Sequence, residues 1–447
     1  MNPDYQQARL TRDPRFDGTF FIAVKTTNIF CRPICPANTP LEKNVEYFKL
    51  AQQAMHAGYR PCLRCRPDSA PHSFAWGGVN TTVNRAMRLL RQNRELNVQE
   101  VAEKLGITTR YFRQLFQQHL GLSPKQYQLF DKVLFAKQLL HQNCLSIEHV
   151  AHASGFSSAR RLQQNFKNVT GFTPQQIKQG KHQQDQLINL KLAFRPPFNS
   201  AHMLTFLRIR AIQGIERVTE NEYSRTFMIG ADKGWFRVSV DEVKHCLMIQ
   251  IRLSKVEKLN SVLSNIERMF DLNADTETIQ KQLLNCGVPE TSLLTGLRIP
   301  GVWDTFEAGC RAILGQQISV KAAITLLSQL THELGEKEQE FYYFPTAAAI
   351  ATSDLAFLKI PSSRRQTLQS FAQYRLDNPD ASVDHWLEIK GIGPWTVAYG
   401  QMRGQSNPDI WLNTDLIIKK QLAEMNIEPD LARPWRSYLT LQLWSMS

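Results

Sequence analysis

Four cysteines near the N-terminus, Cys31, Cys35, Cys62 and Cys65, follow the spacing C-x3-C-x26-C-x2-C. Two close pairs of thiolates suit a tetrahedral zinc ion in a reducing compartment, so Zn2+ is the cofactor this pattern implies. From spacing alone the site reads as a structural knot. A second constellation lies far downstream, where Leu387-Glu388-Ile389-Lys390-Gly391-Ile392-Gly393 sets two glycines around one apolar residue between helical patterns. Glycine at both positions permits positive φ and a tight hairpin. Backbone N–H groups at the start of the following helix form an anion site suited to a DNA phosphate. A carboxylate, Asp415, follows after one apolar helical segment and a short connection. Taken alone, this carboxylate is equally a helix cap.

The elements that must position these groups fall into stretches. At 447 residues the chain has room for about three domains. No 18-residue apolar run occurs and Met1-Asn2-Pro3-Asp4-Tyr5-Gln6 lacks a signal-peptide pattern, so a cytoplasmic protein with no membrane partner is expected. The net charge is +13, and its distribution is uneven: residues 1–185 hold 25 Lys and Arg against 12 Asp and Glu, and the remainder is balanced. The basic excess of the first part is an electrostatic footprint for nucleic acid.

Residues 80–182 read as helical. Leu96 to Phe112 contains helix spacing, a glycine turn at Gly106 and a threonine cap for a second helix, which is helix-turn-helix geometry. A similar unit starts at Ile147, and the two end alike, in Gly121-Leu122-Ser123-Pro124 and Gly171-Phe172-Thr173-Pro174. The polar run Lys178 to Gln186 is a natural linker. Strand-like alternation follows at Leu187–Phe194, Phe227–Ile229, Trp235–Val240 and Leu247–Leu253, then a helix at Leu259–Phe270. From Gly301 onward the pattern is helical. Cys144, Cys246, Cys286 and Cys310 are isolated and read as packing residues.

Several segments carry resemblances to known families. Thr26 to Cys35 and Gly58 to Cys65 resemble the N-terminal domain of the Ada-type methyl acceptors. That resemblance implies that Cys31 takes a methyl group from a DNA methylphosphotriester, with Cys35, Cys62 and Cys65 as supporting zinc ligands. It implies phosphate contacts from Arg32, Arg60, Arg64 and Arg66. The paired helical units resemble the AraC-type regulatory domain. The hairpin resembles a helix-hairpin-helix. Together with Arg311-Ala312-Ile313-Leu314-Gly315-Gln316-Gln317, Leu412 to Lys420 and Pro434 to Tyr438, it resembles the bacterial 3-methyladenine DNA glycosylase II (AlkA) family. Arg195-Pro196-Pro197-Phe198 and Met203 to Leu207 resemble that family's first domain.

These resemblances imply a multidomain, mostly α protein. Its parts are a zinc-bound α+β domain (1–75), a double helix-turn-helix (80–182), a small α+β domain with an antiparallel sheet (187–295) and an all-α helix-hairpin-helix glycosylase domain (296–447). They imply Asp415 as the catalytic carboxylate, Gly391 and Gly393 as the DNA grip, and Trp395, Tyr399, Trp444 and Phe206 around a flipped base. Gln317 stands where a relative has an apolar wedge, and Leu416 where an aromatic can follow the aspartate. Trp395 occupies the position of the lysine in strand-cutting relatives, so a monofunctional glycosylase is expected. The implied partners are double-stranded DNA, as alkylated bases, methylphosphotriesters and promoter DNA, and, for an activator, RNA polymerase. The competing expectation is a transcription regulator whose C-terminal half only binds DNA.

Overall fold

A computed structural model describes residues 3–12, 16, 20–62, 64–65, 67, 81–92, 94, 96–178, 187–379 and 381–446. Arg66 and most of the linker expected at 178–186 lie outside the described residues. The chain forms two compact units: residues 1–193 with 255–264, and residues 194–254 with 265–447.

The first unit begins with a small four-stranded sheet. Strand Phe21–Val24 pairs antiparallel with Ile29–Cys31 on one side and Val45–Phe48 on the other, and Arg60–Pro61 adds in parallel beside Ile29–Cys31. Phe20, Ile22 and Val45 are buried beneath Tyr5 and Tyr47. Two helical pairs follow. The first is Val98–Lys104 and Thr109–Leu120, joined through Gly106 at φ +68°. The second is Ile147–Ala153 and Ala159–Thr170, joined through Gly155 at φ +76°. Thr108 and Ser158 cap the second helix of each pair through their hydroxyls, which accept from Tyr111 N and Arg161 N. Such caps satisfy one of the orphan donors at a helix start and contribute about 1 kcal/mol each. The long helix Pro124–Gln142 connects the pairs. Phe112, Phe116 and Tyr127 pack edge to face in the first core. The outward faces of the second helices carry Arg110, Arg113, Arg160, Arg161 and Lys167, all exposed.

The second unit contains four antiparallel strands in the order Cys246–Leu253, Asp232–Asp241, Glu222–Ile229 and Glu216–Val218. The strand expected at 227–229 is longer because Glu222–Thr226 also pairs, with polar residues that periodicity alone passes over. The remaining elements of this unit are mainly helices. The helix Thr305–Leu314 is buried along nearly its whole length. It is tied to the sheet by ions: Arg225 Nη2 donates to Glu307 Oε2 at 2.7 Å and Arg311 Nε to Glu307 Oε1 at 2.9 Å, while Arg311 also reaches Glu216 at 2.5 Å. Burial alone would raise the Glu307 pKa, but the two guanidiniums outweigh it and push it down to about 2. Cys246, Cys286 and Cys310 are buried and Cys144 half-buried, as packing residues should be.

Candidate functional sites

The parallel pairing of Ile29–Cys31 with Arg60–Pro61 brings the two cysteine pairs together, and Cys62 N donates to Phe30 O at 2.9 Å. The four Sγ atoms all lie within 4.8 Å of one another. Thiolates about 2.3 Å from a zinc ion form a tetrahedron with edges of about 3.8 Å, so the cluster fits that metal. The backbone N–H of Arg32 donates to Cys65 Sγ at 3.3 Å, fixing one ligand. Cys62 and Cys65 are buried, whereas Cys31 and Cys35 are partly exposed on a cavity of about 370 Å³. Arg32, Arg60 and Arg64 line that cavity, as does Phe172 from the second helical pair. Arg60 lies 5.6 Å from the Phe172 ring, so its guanidinium already has an aromatic neighbour.

In the second unit the hairpin is seated by Ile389, Ile392 and Val397, which enter the core beside Trp386. The two glycines differ. Gly391 has φ +93°, and a Cβ there would lie 2.0 Å from Thr367 Oγ1, which itself donates to Lys390 O. Gly393 does not take positive φ, contrary to expectation: it caps the helix Pro394–Tyr399 at φ −106°, a conformation open to any residue. A Cβ at Gly393 would meet nothing within 4 Å, so its bareness leaves open space rather than relieving strain. Pro394 supplies no N–H at the helix start. The N–H groups of Gly391, Gly393 and Trp395 have no protein acceptor among the described residues. Gln316 braces the turn, donating to Gly391 O at 3.1 Å and Thr396 Oγ1 at 3.2 Å.

Asp415 caps the helix Leu416–Glu424, its Oδ1 accepting from Ile417 N and Ile418 N. The same oxygen accepts from Trp444 Nε1 at 3.2 Å, and Oδ2 accepts from Trp395 Nε1 at 3.4 Å. Trp395 stacks on Tyr399 with centroids 5.3 Å apart. The Tyr399 hydroxyl accepts from Arg403 at 2.8 Å. Arg403, in a π-helical turn at Gly400–Gly404, lies 4.8 Å from the Phe206 ring, and Phe206 stacks on Trp444 with centroids 6.5 Å apart. The contacts close a circuit: Asp415, Trp395, Tyr399, Arg403, Phe206, Trp444. Of the expected pocket residues, Trp395 and Trp444 bond the carboxylate directly, and Tyr399 and Phe206 join it only through those two rings. Phe206 is only 7% exposed, packs in the core and also carries Arg210 at 3.7 Å. Gln317 is exposed at φ +56° in the turn after Thr305–Leu314, and Leu416 is 81% exposed beside Asp415.

Sequence reasoning assigned no role to Gln316, Thr367, Arg210 or Arg403. Gln316 lay inside a motif already singled out, but no local pattern marks a partner 75 residues away. The other three carried no signal of their own.

The architecture is that of a DNA-acting regulator-repair protein: a four-thiolate zinc site and paired helix-turn-helix units, joined to a helix-hairpin-helix unit with an aspartate among aromatic rings. Family models match the metal binding domain of Ada at residues 4–68, a helix-turn-helix domain at 101–180 and the AlkA N-terminal domain at 189–304. A "probable bifunctional transcriptional activator/DNA repair enzyme AlkA" of Mycobacterium tuberculosis is 30% identical over 100% of this chain and 97% of its own length. The chain belongs to that family of bifunctional transcriptional activator/DNA repair proteins. DNA-3-methyladenine glycosylase 2 of Escherichia coli K12 is 30% identical over 57% of this chain and 95% of its own length. The bifunctional transcriptional activator/DNA repair enzyme Ada of the same organism is 31% identical over 39% of this chain and 48% of its own. Among the described residues, no helix is long and apolar enough to cross a membrane.

Proposed function

We propose that the chain repairs alkylated DNA by two reactions, base excision at Asp415 and methyl acceptance at Cys31, and that the second regulates transcription. The observation that carries the first is the carboxylate of Asp415, held by both indole N–H groups at the head of the aromatic circuit. Breaking an N-glycosidic bond develops positive charge on the sugar, and a carboxylate in fixed orientation stabilises that charge without reorganising. Trp395 and Tyr399 offer ring faces to a flipped, electron-poor base, worth roughly 0.5–2 kcal/mol per contact. Water completes the displacement: its oxygen bonds the sugar carbon and gives up a proton to solvent, while the glycosidic C–N bond breaks and the base leaves with the bonding electrons. Gly391 and Gly393 offer backbone N–H groups to a phosphate.

At the other site, bound zinc keeps the cysteine sulfurs as thiolates at neutral pH. The Cys31 sulfur attacks the methyl carbon of a phosphotriester; an S–C bond forms, the C–O bond breaks, and the phosphodiester leaves as an anion. Arg32 and Arg64, beside the cavity, suit flanking phosphates. A thioether has no easy route back to thiolate, so each chain reacts once. The acquired methyl removes one negative charge from the cluster. Repulsion of nearby phosphates falls, and promoter binding through the paired helix-turn-helix units should tighten.

Release of free 3-methyladenine and 7-methylguanine from methylated duplex DNA, with one methyl on the Cys31 peptide after incubation with methylphosphotriester DNA, tests both halves. DNA binding without base release would make the C-terminal half a binding module. A borohydride-trapped adduct would reveal a lyase despite Trp395.

A further inference from the structure

The circuit around Asp415 is polarised. One end is the carboxylate; the residue reached last from it in either direction is Arg403, 2% exposed. Arg403 is committed, donating from Nε to Pro300 O at 2.6 Å and from Nη1 to the Tyr399 hydroxyl. A second guanidinium, Arg210, stacks on the same Phe206 ring at 3.7 Å. Its backbone is fixed at the end of the helix Ser200–Ile209: its N–H donates to Leu207 O and its carbonyl accepts from buried Arg311 at 2.8 Å. Its side chain makes one long hydrogen bond, Nη1 to Phe206 O at 3.4 Å. Neither arginine has a carboxylate partner among the described residues, and none of the Arg210 nitrogens is sealed without a partner in the core. Burial, and then Arg403, lower the Arg210 pKa to about 10, which leaves it charged at neutral pH.

We infer that Arg210 reads the six-position of the flipped purine, so that the pocket favours 6-oxopurines such as 7-methylguanine over 6-aminopurines such as 3-methyladenine. The inference rests on the base-excision reading and adds the discriminating residue. A purine whose glycosidic nitrogen lies beside Asp415 carries its six-position on the ring edge away from the sugar, toward the arginine end of the circuit. A 6-oxo group accepts from the Arg210 guanidinium, whose Nη1 otherwise makes only the long bond to Phe206 O. A 6-amino group presents N–H against N–H, leaving desolvated donors unpaired. Both lesions are cationic as nucleosides, so the general repulsion from Arg210 and Arg403 is common to them. The six-position is what differs.

The test is the ratio of the two bases released from one sample of methylated duplex DNA by the full chain. Arg210→Gln should lower the ratio of 7-methylguanine to 3-methyladenine by about tenfold, the scale of one lost hydrogen bond to a charged donor. Arg210→Lys, which keeps the charge but loses the fork, should fall between, and it carries the test if the glutamine variant does not fold. Equal losses of both bases in the variants would make Arg210 a packing residue on Phe206 and overturn the inference alone. Release of neither base by the unsubstituted chain would overturn the base-excision reading with it.

Discussion

Trp444 Nε1 donates to Asp415 Oδ1 at 3.2 Å, across 29 residues of sequence. The bond joins the last helix, Arg436–Ser445, to the cap of the helix Leu416–Glu424. With Trp395 donating to the other oxygen, the carboxylate plane is set by two indole rings. On the base-excision proposal, recognition of the base and orientation of the carboxylate would be the work of the same side chains.

Asp415→Asn should lower base release by about 10²-fold or more while the fold survives, because the amide oxygen keeps the helix cap while the charge and the acceptor for the Trp395 indole N–H are lost. Single-turnover excision, read alongside thermal melting, checks this. Unsubstituted rates in the variant would remove Asp415 from the chemistry.

Trp444→Phe and Trp395→Phe each keep an aromatic ring and delete one N–H donor. Each should cost roughly tenfold in single-turnover rate, the scale of one hydrogen bond to a charged acceptor. DNA affinity, measured separately on undamaged duplex, should change little. A loss of affinity matching the loss of rate would mean that the rings matter only for packing.

Cys31→Ala should abolish methyl acceptance and leave base release intact, since the two sites lie in separate compact units. Stripping the metal with a chelator should have the same asymmetric effect. Mass spectrometry of the Cys31 peptide and base release from the same preparation provide the readout. A methyl appearing on Cys62 or Cys65 would reassign the acceptor.

Arg160 and Arg161 are exposed on the outward face of the helix Ala159–Thr170. Replacing either with alanine should reduce the steepness of the log–log salt dependence of DNA binding by about 0.9 for each phosphate the arginine neutralised. An unchanged slope would take this helix out of the interface.

Glu307 makes a separate prediction about acid stability. Its folded pKa of about 2 lies below the usual 4.5, so its contribution is present above pH 4.5 and is lost as pH falls from about 4.5 toward about 2. Glu307→Gln leaves Arg225 and Arg311 partly uncompensated in the core and should cost about 3–5 kcal/mol at neutral pH. Denaturant unfolding across that pH range should show the variant losing less on acidification than the unsubstituted chain.

Much of the architecture was legible in local pattern. The cysteine spacing, the glycine turns at Gly106 and Gly155, the threonine cap at Thr108 and the alternation at 235–240 and 247–253 depend on residues close together in the chain. Their neighbours decide their conformation through backbone sterics and capping. The place of Asp415 at the start of a helix after the hairpin was also legible, as the cap its position allowed. What the tertiary structure decided is how the groups meet. Sequence treated Gly391 and Gly393 alike, but Thr367, packed against the hairpin from another helix, makes only the first intolerant of a side chain. Sequence treated four aromatics as interchangeable pocket walls; the fold made two of them hydrogen-bond donors to Asp415 and covered Phe206 with arginines. Gln316 bonds a carbonyl on the hairpin, and Arg210 lies over the Phe206 ring. An N–H has a direction and a reach of about 3 Å, and a guanidinium needs a face to lie on. Those conditions are set by elements far apart in sequence, which no periodicity or motif along the chain encodes.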